Sequence, residues 1–346
     1  MIRRQCRSRV GGRMSDESSL GRWLRNRSGA SRHDPDGSSA GLKLRQPLEI
    51  ALAEAQQSRR RTRVLRPGDR FHHFQLQQQL GRGAMATVYR AVDENDGKVV
   101  ALKVLTLADD WPEEQREEAR LRMLREAETA GRLGHPDIIE INEADEHDGF
   151  VYLAMEFVEG VNLATHAGES RLLPPRLVCE MCARVADALH FAHQRGVIHR
   201  DVKPANIVFD QRTRRVRVMD FGVARLEDSR ATRTGIILGS PSYMAPEQLD
   251  GRKVTAQSDL FSLGVSLFQL LTGTLPFRCD SIPGLMQKIA SEPHPPLSVV
   301  RPDLPPCLAE IVDRAMAKDP VARFATGAEM AQALRDCGRG IDPALR

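Results

Sequence analysis

The hydrophobic pattern of this chain changes period at Gly160, and that change constrains the fold more than any single motif. Between Phe71 and Phe157 apolar residues recur mainly at every second position, the period of a strand with one buried face. Phe74, Leu76 and Leu80 form a first strand that Gly81 and Gly83 end; Thr87–Val92 reads as its returning partner and Lys98–Leu105 as a third strand. Pro112–Leu133 reads as a long charged helix, with Glu118 and Arg122 one turn apart. Ile138–Phe157 reads as two strands joined at Asp148-Gly149, a dipeptide suited to a tight hairpin turn. Beyond Gly160 the spacing is mostly helical to about residue 337, as in Leu177–His193 and Asp259–Thr272. The pattern predicts a bilobal α+β fold: a small antiparallel β-rich lobe with one long helix over 71–157, then a larger, mainly helical lobe over 161–337 and a short tail over 338–346.

The N-terminal region differs in composition. Residues 1–46 are rich in Arg, Ser and Gly and hold few large apolar side chains, so burial cannot offset the entropy of ordering them; a disordered basic tail is expected. Residues 47–70 read as a linker, in which Leu48, Ile50, Leu52 and Ala55 have the spacing of a short amphipathic helix ahead of Arg59-Arg60-Arg61. Met14 is an alternative start. Lys and Arg outnumber Asp and Glu by 17 to 7 over residues 1–70, whereas residues 71–346 hold 33 against 39. The basic tail has no interleaved aromatics beyond Trp23, which argues against nucleic-acid binding.

No apolar run reaches the roughly 18 residues of a membrane helix. The nearest, Leu260–Leu271, is broken by Ser262, Gly264, Ser266 and Gln269 and reads as a core helix. Arg3-Arg4 has no apolar signal region behind it. Six irregularly spaced cysteines are too few for a disulfide framework, so a cytoplasmic protein in a reducing compartment is expected. Cys179 and Cys182 fall within a helical pattern without a second Cys or His pair, and read as buried helix residues.

Chemistry concentrates at four places. Leu80-Gly81-Arg82-Gly83-Ala84-Met85-Ala86-Thr87-Val88 is a glycine-rich turn between two strands, where backbone N–H groups can approach a polyphosphate; Ala86 stands where a third glycine would be. A strand follows the turn, which excludes the strand-to-helix setting of dinucleotide-binding loops. Lys103 shares a strand face with Val99 and Ala101, so its ammonium points into a cleft and needs an anion; Glu126 on the following helix is the best-placed candidate. Taken singly, Lys103 and Glu126 are equally ordinary surface charges. The third place is His199-Arg200-Asp201-Val202-Lys203-Pro204-Ala205-Asn206, and the fourth is Asp220-Phe221-Gly222.

In this order, and with Ala245-Pro246-Glu247, these motifs resemble the catalytic core of the bacterial eukaryotic-like Ser/Thr protein kinases over residues 70–337, about three quarters of the chain. The resemblance implies an ATP-dependent kinase acting on Ser/Thr hydroxyls of proteins. Asp201 would accept the hydroxyl proton, and Lys203 would neutralise the transferring phosphoryl. Asn206 and Asp220 would hold Mg²⁺, or Mn²⁺, through oxygen ligands. Lys103 would hold the nucleotide phosphates; Leu80, Val88, Ala101 and Val208 would sandwich adenine, with Met155 as gatekeeper and Glu156–Val158 as the hinge. Lysine two residues after Asp201 resembles the Ser/Thr-specific pattern rather than the tyrosine-specific one.

The resemblance further implies control. Arg200 beside Asp201 leaves a positive charge that a phosphate on the 220–247 segment can neutralise, at Thr232 or Thr234, with Ser229 a weaker candidate; trans-autophosphorylation would need self-association. Ser240 stands where the family has threonine and retains the hydroxyl. Glu247 is expected to pair with Arg323, and Asp259 to cap the catalytic loop. Two other classes compete: a pseudokinase scaffold, opposed by the complete set Lys103, Glu126, Asp201, Asn206 and Asp220, and a small-molecule phosphotransferase, opposed by the Ala-Pro-Glu segment.

Overall fold

The structure is a computed structural model that describes residues 64–83, 86–105, 113–221 and 241–345. The readings made for residues 1–46, for the 48–61 amphipathic segment, for Ala84 and Met85, and for Ser229, Thr232, Thr234 and Ser240 lie outside the described residues, as do the side chains of Glu118, Arg122 and Glu126.

Strands β1 (Arg70–Phe71), β2 (Phe74–Arg82), β3 (Ala86–Asp93), β4 (Val99–Leu105), β5 (Ile141–His147) and β6 (Phe150–Glu156) form one antiparallel sheet in the order β1-β2-β3-β4-β6-β5. The alternation read from the sequence is what divides its faces. Val100, Leu102 and Val104 of β4 are buried with Phe71, Phe74, Leu76, Tyr89 and Tyr152 on one side. On the other side α1 (Glu113–Gly131) packs Met123 and Ala127 against Val151 and Leu153. Burying each phenylalanine contributes about 1.5–3 kcal/mol. Asp148 and Gly149, with φ of 51° and 80°, make the β5–β6 hairpin; the left-handed twist at both positions suits Asp-Gly because glycine has no Cβ to clash.

Gly81 does not end the first strand. It lies inside β2, opposite Val88, after register irregularities between Leu76 and Gln78 and between Gln79 and Gly81. These bulges turn the strand out of phase. Phe74 and Leu76 are buried as their spacing predicts, but Leu80, further along the same strand, is exposed.

The helical lobe follows. A small sheet, β7 (Val161–Asn162), β8 (Ile207–Asp210) and β9 (Arg215–Val218), underlies α2 (Pro175–His193), and the short α3 (Pro246–Leu249) comes next. Helices α4 (Ala256–Thr272), α5 (Ile282–Ser291), α6 (Leu297–Val300), α7 (Pro306–Ala315) and α8 (Gly327–Gly340) complete it. Helix α4 is buried on nearly every side, the signature of a central core helix. Its interruptions are tolerated because each hydroxyl bonds a carbonyl one turn back: Ser262 to Ser258 (3.1 Å), Ser266 to Ser262 (2.8 Å) and Thr272 to Phe268 (2.9 Å). At Gly264 a Cβ would come within 2.7 Å of the Ala315 Cβ, so the missing side chain lets α7 approach. Among the described residues no helix is long and apolar enough to cross a membrane.

Cys179 and Cys182 are buried in α2 as expected, and burial pushes the Cys179 thiol up to about 12. The cysteine reading needs one correction. Cys307 at the start of α7 and Cys337 in α8 are bonded to each other, with Cα atoms 5.8 Å apart. Their spacing of 30 residues carries no local signal; the packing of two helices brings them together.

Candidate active site

The catalytic loop lies between α2 and β8, and its backbone is held from beneath by α4. Asp259, fully buried, accepts the His199 amide through Oδ2 (2.8 Å) and the Arg200 amide through Oδ1 (2.7 Å). Arg200 adopts φ 67°, a left-handed conformation that costs a non-glycine residue about 1–2 kcal/mol. The charge-assisted bonds that the two amides donate to Asp259, and one from Gln248 Nε2 to the Arg200 carbonyl (3.1 Å), offset that strain. The turn presents Asp201 with its carboxylate partly exposed. Asp201 Oδ2 accepts from Lys203 Nζ at 2.7 Å and from Asn206 Nδ2 at 3.0 Å, while Oδ1 carries no hydrogen bond among the described residues.

Asn206 Nδ2 also donates to the Asp201 carbonyl (2.8 Å), so both amide hydrogens are committed to Asp201 and the carboxamide oxygen is turned away from it. The second oxygen donor arrives from 14 residues further on. Asp220 has φ 54° and accepts from Lys103 Nζ at 2.9 Å. That contact joins β4 to the segment after β9 across 117 residues of sequence. Lys103 lies on the sheet face away from Val100, Leu102 and Val104, opposite Leu153 of β6, as the alternation predicts. The backbone of Glu126 is in α1.

The remaining predicted residues surround this centre in part. Ala101 and the buried Met155 are register partners across β4 and β6, and Val88 pairs with Lys103 across β3 and β4. Gly81 and Arg82 pair with Val88 and Thr87, and the Gly83 amide donates to the Ala86 carbonyl (2.8 Å). Val208 lies in β8 just after Asn206, and Leu80 is exposed on β2. The Glu156 amide is committed to the Glu140 carbonyl (2.9 Å), and Val158 follows it outside any strand.

Several contributors escaped the sequence reading. His199 is fully buried: its Nε2 donates to the Met219 carbonyl (2.9 Å), its Nδ1 accepts from the Asp201 amide (3.3 Å), and its ring packs on Phe221 with centroids 4.5 Å apart. It therefore couples the Asp201 turn to the Asp220 turn, which its place in the motif alone does not reveal. Arg217 of β9 bonds Glu156 Oε1 (2.5 Å), linking the hinge segment to the helical lobe. His193 adds a third contact to Asp259, at 2.7 Å. Gln248 and Arg217 carry no sequence signal, because both act at long range.

The expected ion pair is present below the site. Arg323 is buried and all five of its N–H groups are used: two on Glu247 (2.7 and 2.9 Å) and one each on the carbonyls of Ala317, Gln257 and Lys318. Burial alone would raise the Glu247 carboxyl pKa, but the bonds from Arg323 and Ser258 hold it below the usual carboxylate range.

A family model described as protein kinase domain matches residues 74–335. The chain belongs to the protein kinase family. It is 37% identical over 272 residues to the serine/threonine-protein kinase PknD of Mycobacterium tuberculosis, a match covering 78% of this chain and 40% of that protein. It is 38% identical over 268 residues to the serine/threonine-protein kinase pkn3 of Myxococcus xanthus, covering 74% and 48%. The chain thus spans less than half the length of these relatives. The crystal structure of the PknI kinase domain from Mycobacterium tuberculosis superposes with a TM-score of 0.62 at 33% identity, over 79% of this chain and 100% of that one. The bilobal kinase fold expected from the sequence is the fold observed.

Proposed function

We propose that this kinase domain transfers the γ-phosphoryl group of ATP to Ser or Thr hydroxyls of protein substrates. The observation that carries the proposal is that Lys103 bonds Asp220 while the amide of the neighbouring Met219 bonds the Asn206 carbonyl (2.8 Å), which joins that segment to the loop where Lys203 and Asn206 hold Asp201. In the reaction the acceptor oxygen bonds to the γ-phosphorus as the bond to the β,γ-bridging oxygen breaks, the hydroxyl proton passes to Asp201, and ADP leaves. Asp201 is suited to this because Lys203 and Asn206 hold one carboxylate oxygen and leave Oδ1 for the substrate. Lys203 also places a positive charge where the transferring phosphoryl would lie. Lys103 is the cation for the nucleotide phosphates, with the glycine-rich turn of 81–88 as their cover.

Mg²⁺ fits the donor set, since Asn206 has a carboxamide oxygen uncommitted to Asp201 and Asp220 supplies a carboxylate, both hard oxygen ligands. When bound it neutralises charge on the phosphates; Mn²⁺ has the same ligand preference. Leu80, Val88, Ala101, Met155 and Val208 suit an adenine, with Val158 the hinge amide to bond it because that of Glu156 is already committed.

Arg200 supports a regulatory reading. Burial lowers its guanidinium pKa, only the nearby charge of Asp259 opposes this, and it has no ion pair among the described residues. A phosphate on Thr232 or Thr234, added by a second copy of the chain, would supply the missing anion. A soluble, cytoplasmic enzyme is part of the same proposal, and in a reducing cytoplasm Cys307 and Cys337 would be held as thiols.

The test is labelled-ATP transfer with Mg²⁺, comparing wild type with Asp201→Asn and mapping the products. Loss of the base is expected to lower the rate by ~10²–10⁴-fold, with phosphate on Ser or Thr, including Thr232 or Thr234. Equal labelling of both proteins sinks the proposal; no labelling of either points to a pseudokinase scaffold, and phosphate only on tyrosine sinks the Ser/Thr assignment.

A further inference from the structure

On the far side of the β-lobe, a second cluster of chemistry-bearing side chains shares no residue with the nucleotide machinery. The tight connection between β1 and β2 consists of His72-His73, flanked by the register pair Phe71 and Phe74, both buried. His72 has φ 54°, a conformation that glycine or asparagine adopts more readily than histidine. The strained turn delivers both imidazoles onto the β5–β6 hairpin. One nitrogen from each ring and a carboxylate oxygen of Glu143 lie within 4.8 Å of one another.

We infer that His72, His73 and Glu143 form a binding site for a divalent transition-metal cation of the Zn²⁺ type. Several observations point there. His73 Nε2 is buried and makes no hydrogen bond, although Glu143 Oε2 is 3.3 Å away and Asp93 Oδ1 3.7 Å away. A buried ring nitrogen that faces two carboxylates without a hydrogen bond marks a place where a cation is stabilising. The rings gather at one place, His72 stacking on His147 at 4.5 Å and lying 4.3 Å from His73.

The surroundings are also those of a ligand set. Tyr152 donates its hydroxyl hydrogen to Glu143 and lies 3.1 Å from His72 Nδ1, so one phenol orients two ligands, as outer-shell partners do in metal sites. Two imidazoles and one carboxylate match the three-ligand zinc arrangement that leaves a fourth position for water. Zinc bonds of about 2.0–2.1 Å in a tetrahedron place ligands roughly 3.3 Å apart. Hard cations such as Mg²⁺ prefer all-oxygen ligands and are disfavoured by the two nitrogens.

The experiment uses the full chain, freed of metal by chelator and dialysed against Zn²⁺ with Mg²⁺ in excess, so that oxygen sites stay occupied. Bound zinc is counted by elemental analysis, and Tm is recorded with and without Zn²⁺. His72→Asn keeps the left-handed turn accessible while removing one ligand, and Glu143→Gln removes another. Wild type is expected to hold about one more Zn²⁺ per chain than either variant and to gain Tm on adding Zn²⁺, with affinity falling at least ~10-fold in each variant. His72→Asn without metal is expected to melt no lower than metal-free wild type, which separates lost binding from lost folding. Equal zinc content in wild type and both variants, or no zinc in wild type, overturns the site; the cluster is then a hydrogen-bonded histidine group alone.

Discussion

Asp259 Oδ1 accepts the Arg200 amide at 2.7 Å, so a residue of the central buried helix fixes the backbone turn that carries Asp201. The same carboxylate takes the His199 amide and His193, three donors in all. An amide side chain has one acceptor oxygen, so Asp259→Asn strands at least one buried donor at a cost of about 1–3 kcal/mol. Asp201 then shifts relative to its substrate. We expect kcat to fall by about 10–100-fold with little change in KM for ATP, and steady-state kinetics with a thermal melt would check it. An unchanged kcat would show that the loop holds its shape without the cap.

The Glu247–Arg323 pair is a stability element. Replacing Glu247 with Gln leaves a buried guanidinium without its counter-charge, an expected loss of about 3–5 kcal/mol. Arg323→Lys is expected to be nearly as damaging, because an ammonium cannot reach five acceptors in a planar fork. Because folding lowers the Glu247 pKa below its ordinary 4.5, its contribution is full above that value and is lost as pH falls through the folded pKa. Urea unfolding of wild type should therefore weaken below about pH 4.5, and Glu247→Gln should lose part of that slope.

Lys318 titrates in the opposite range. Burial, then the charge of Arg323, pushes its ammonium from 10.5 down to about 8, while Nζ sits 4.1 Å from the Phe277 ring and donates to the Ile289 carbonyl at 2.7 Å. Between those values the unfolded chain binds the proton and the folded one releases it, so stability should rise with pH from about 8 to 10.5. Urea midpoints measured across that window would show the rise. Lys318→Met should flatten it; an equal rise in both proteins would assign it to other groups.

The Cys307–Cys337 bond links two cysteines 30 residues apart, in α7 and α8. Restricting the unfolded chain in this way stabilises by about 3–4 kcal/mol. Reductant should lower Tm in wild type and leave Cys307→Ser unchanged. Identical melts with and without reductant would remove this stabilisation.

Local signals were legible in the sequence. Asp148-Gly149 dictated its hairpin because both positions need left-handed backbone, and the alternation in β4 placed Lys103 on the correct face. The grouping of Asp201, Lys203 and Asn206 was legible because all three lie within six residues. The bulges around Leu80 were not, since a one-residue slip in register leaves the residue types unchanged. The partners of Lys103, Glu156 and Arg200 were equally hidden: Asp220, Arg217 and Gln248 approach them from 117, 61 and 48 residues away.

The sequence by itself determined the two-lobe division, the order of the motifs and the residue types of the candidate site, because periodicity and short motifs are encoded by neighbours. Tertiary structure alone decided which charges meet: Asp259 beneath the His199–Arg200 turn, Cys307 against Cys337, and the two turn histidines against Glu143. The physical reason is that pairing energies fall off within a few ångströms, whereas distance along the chain says little about distance in space once sheets and helices have packed.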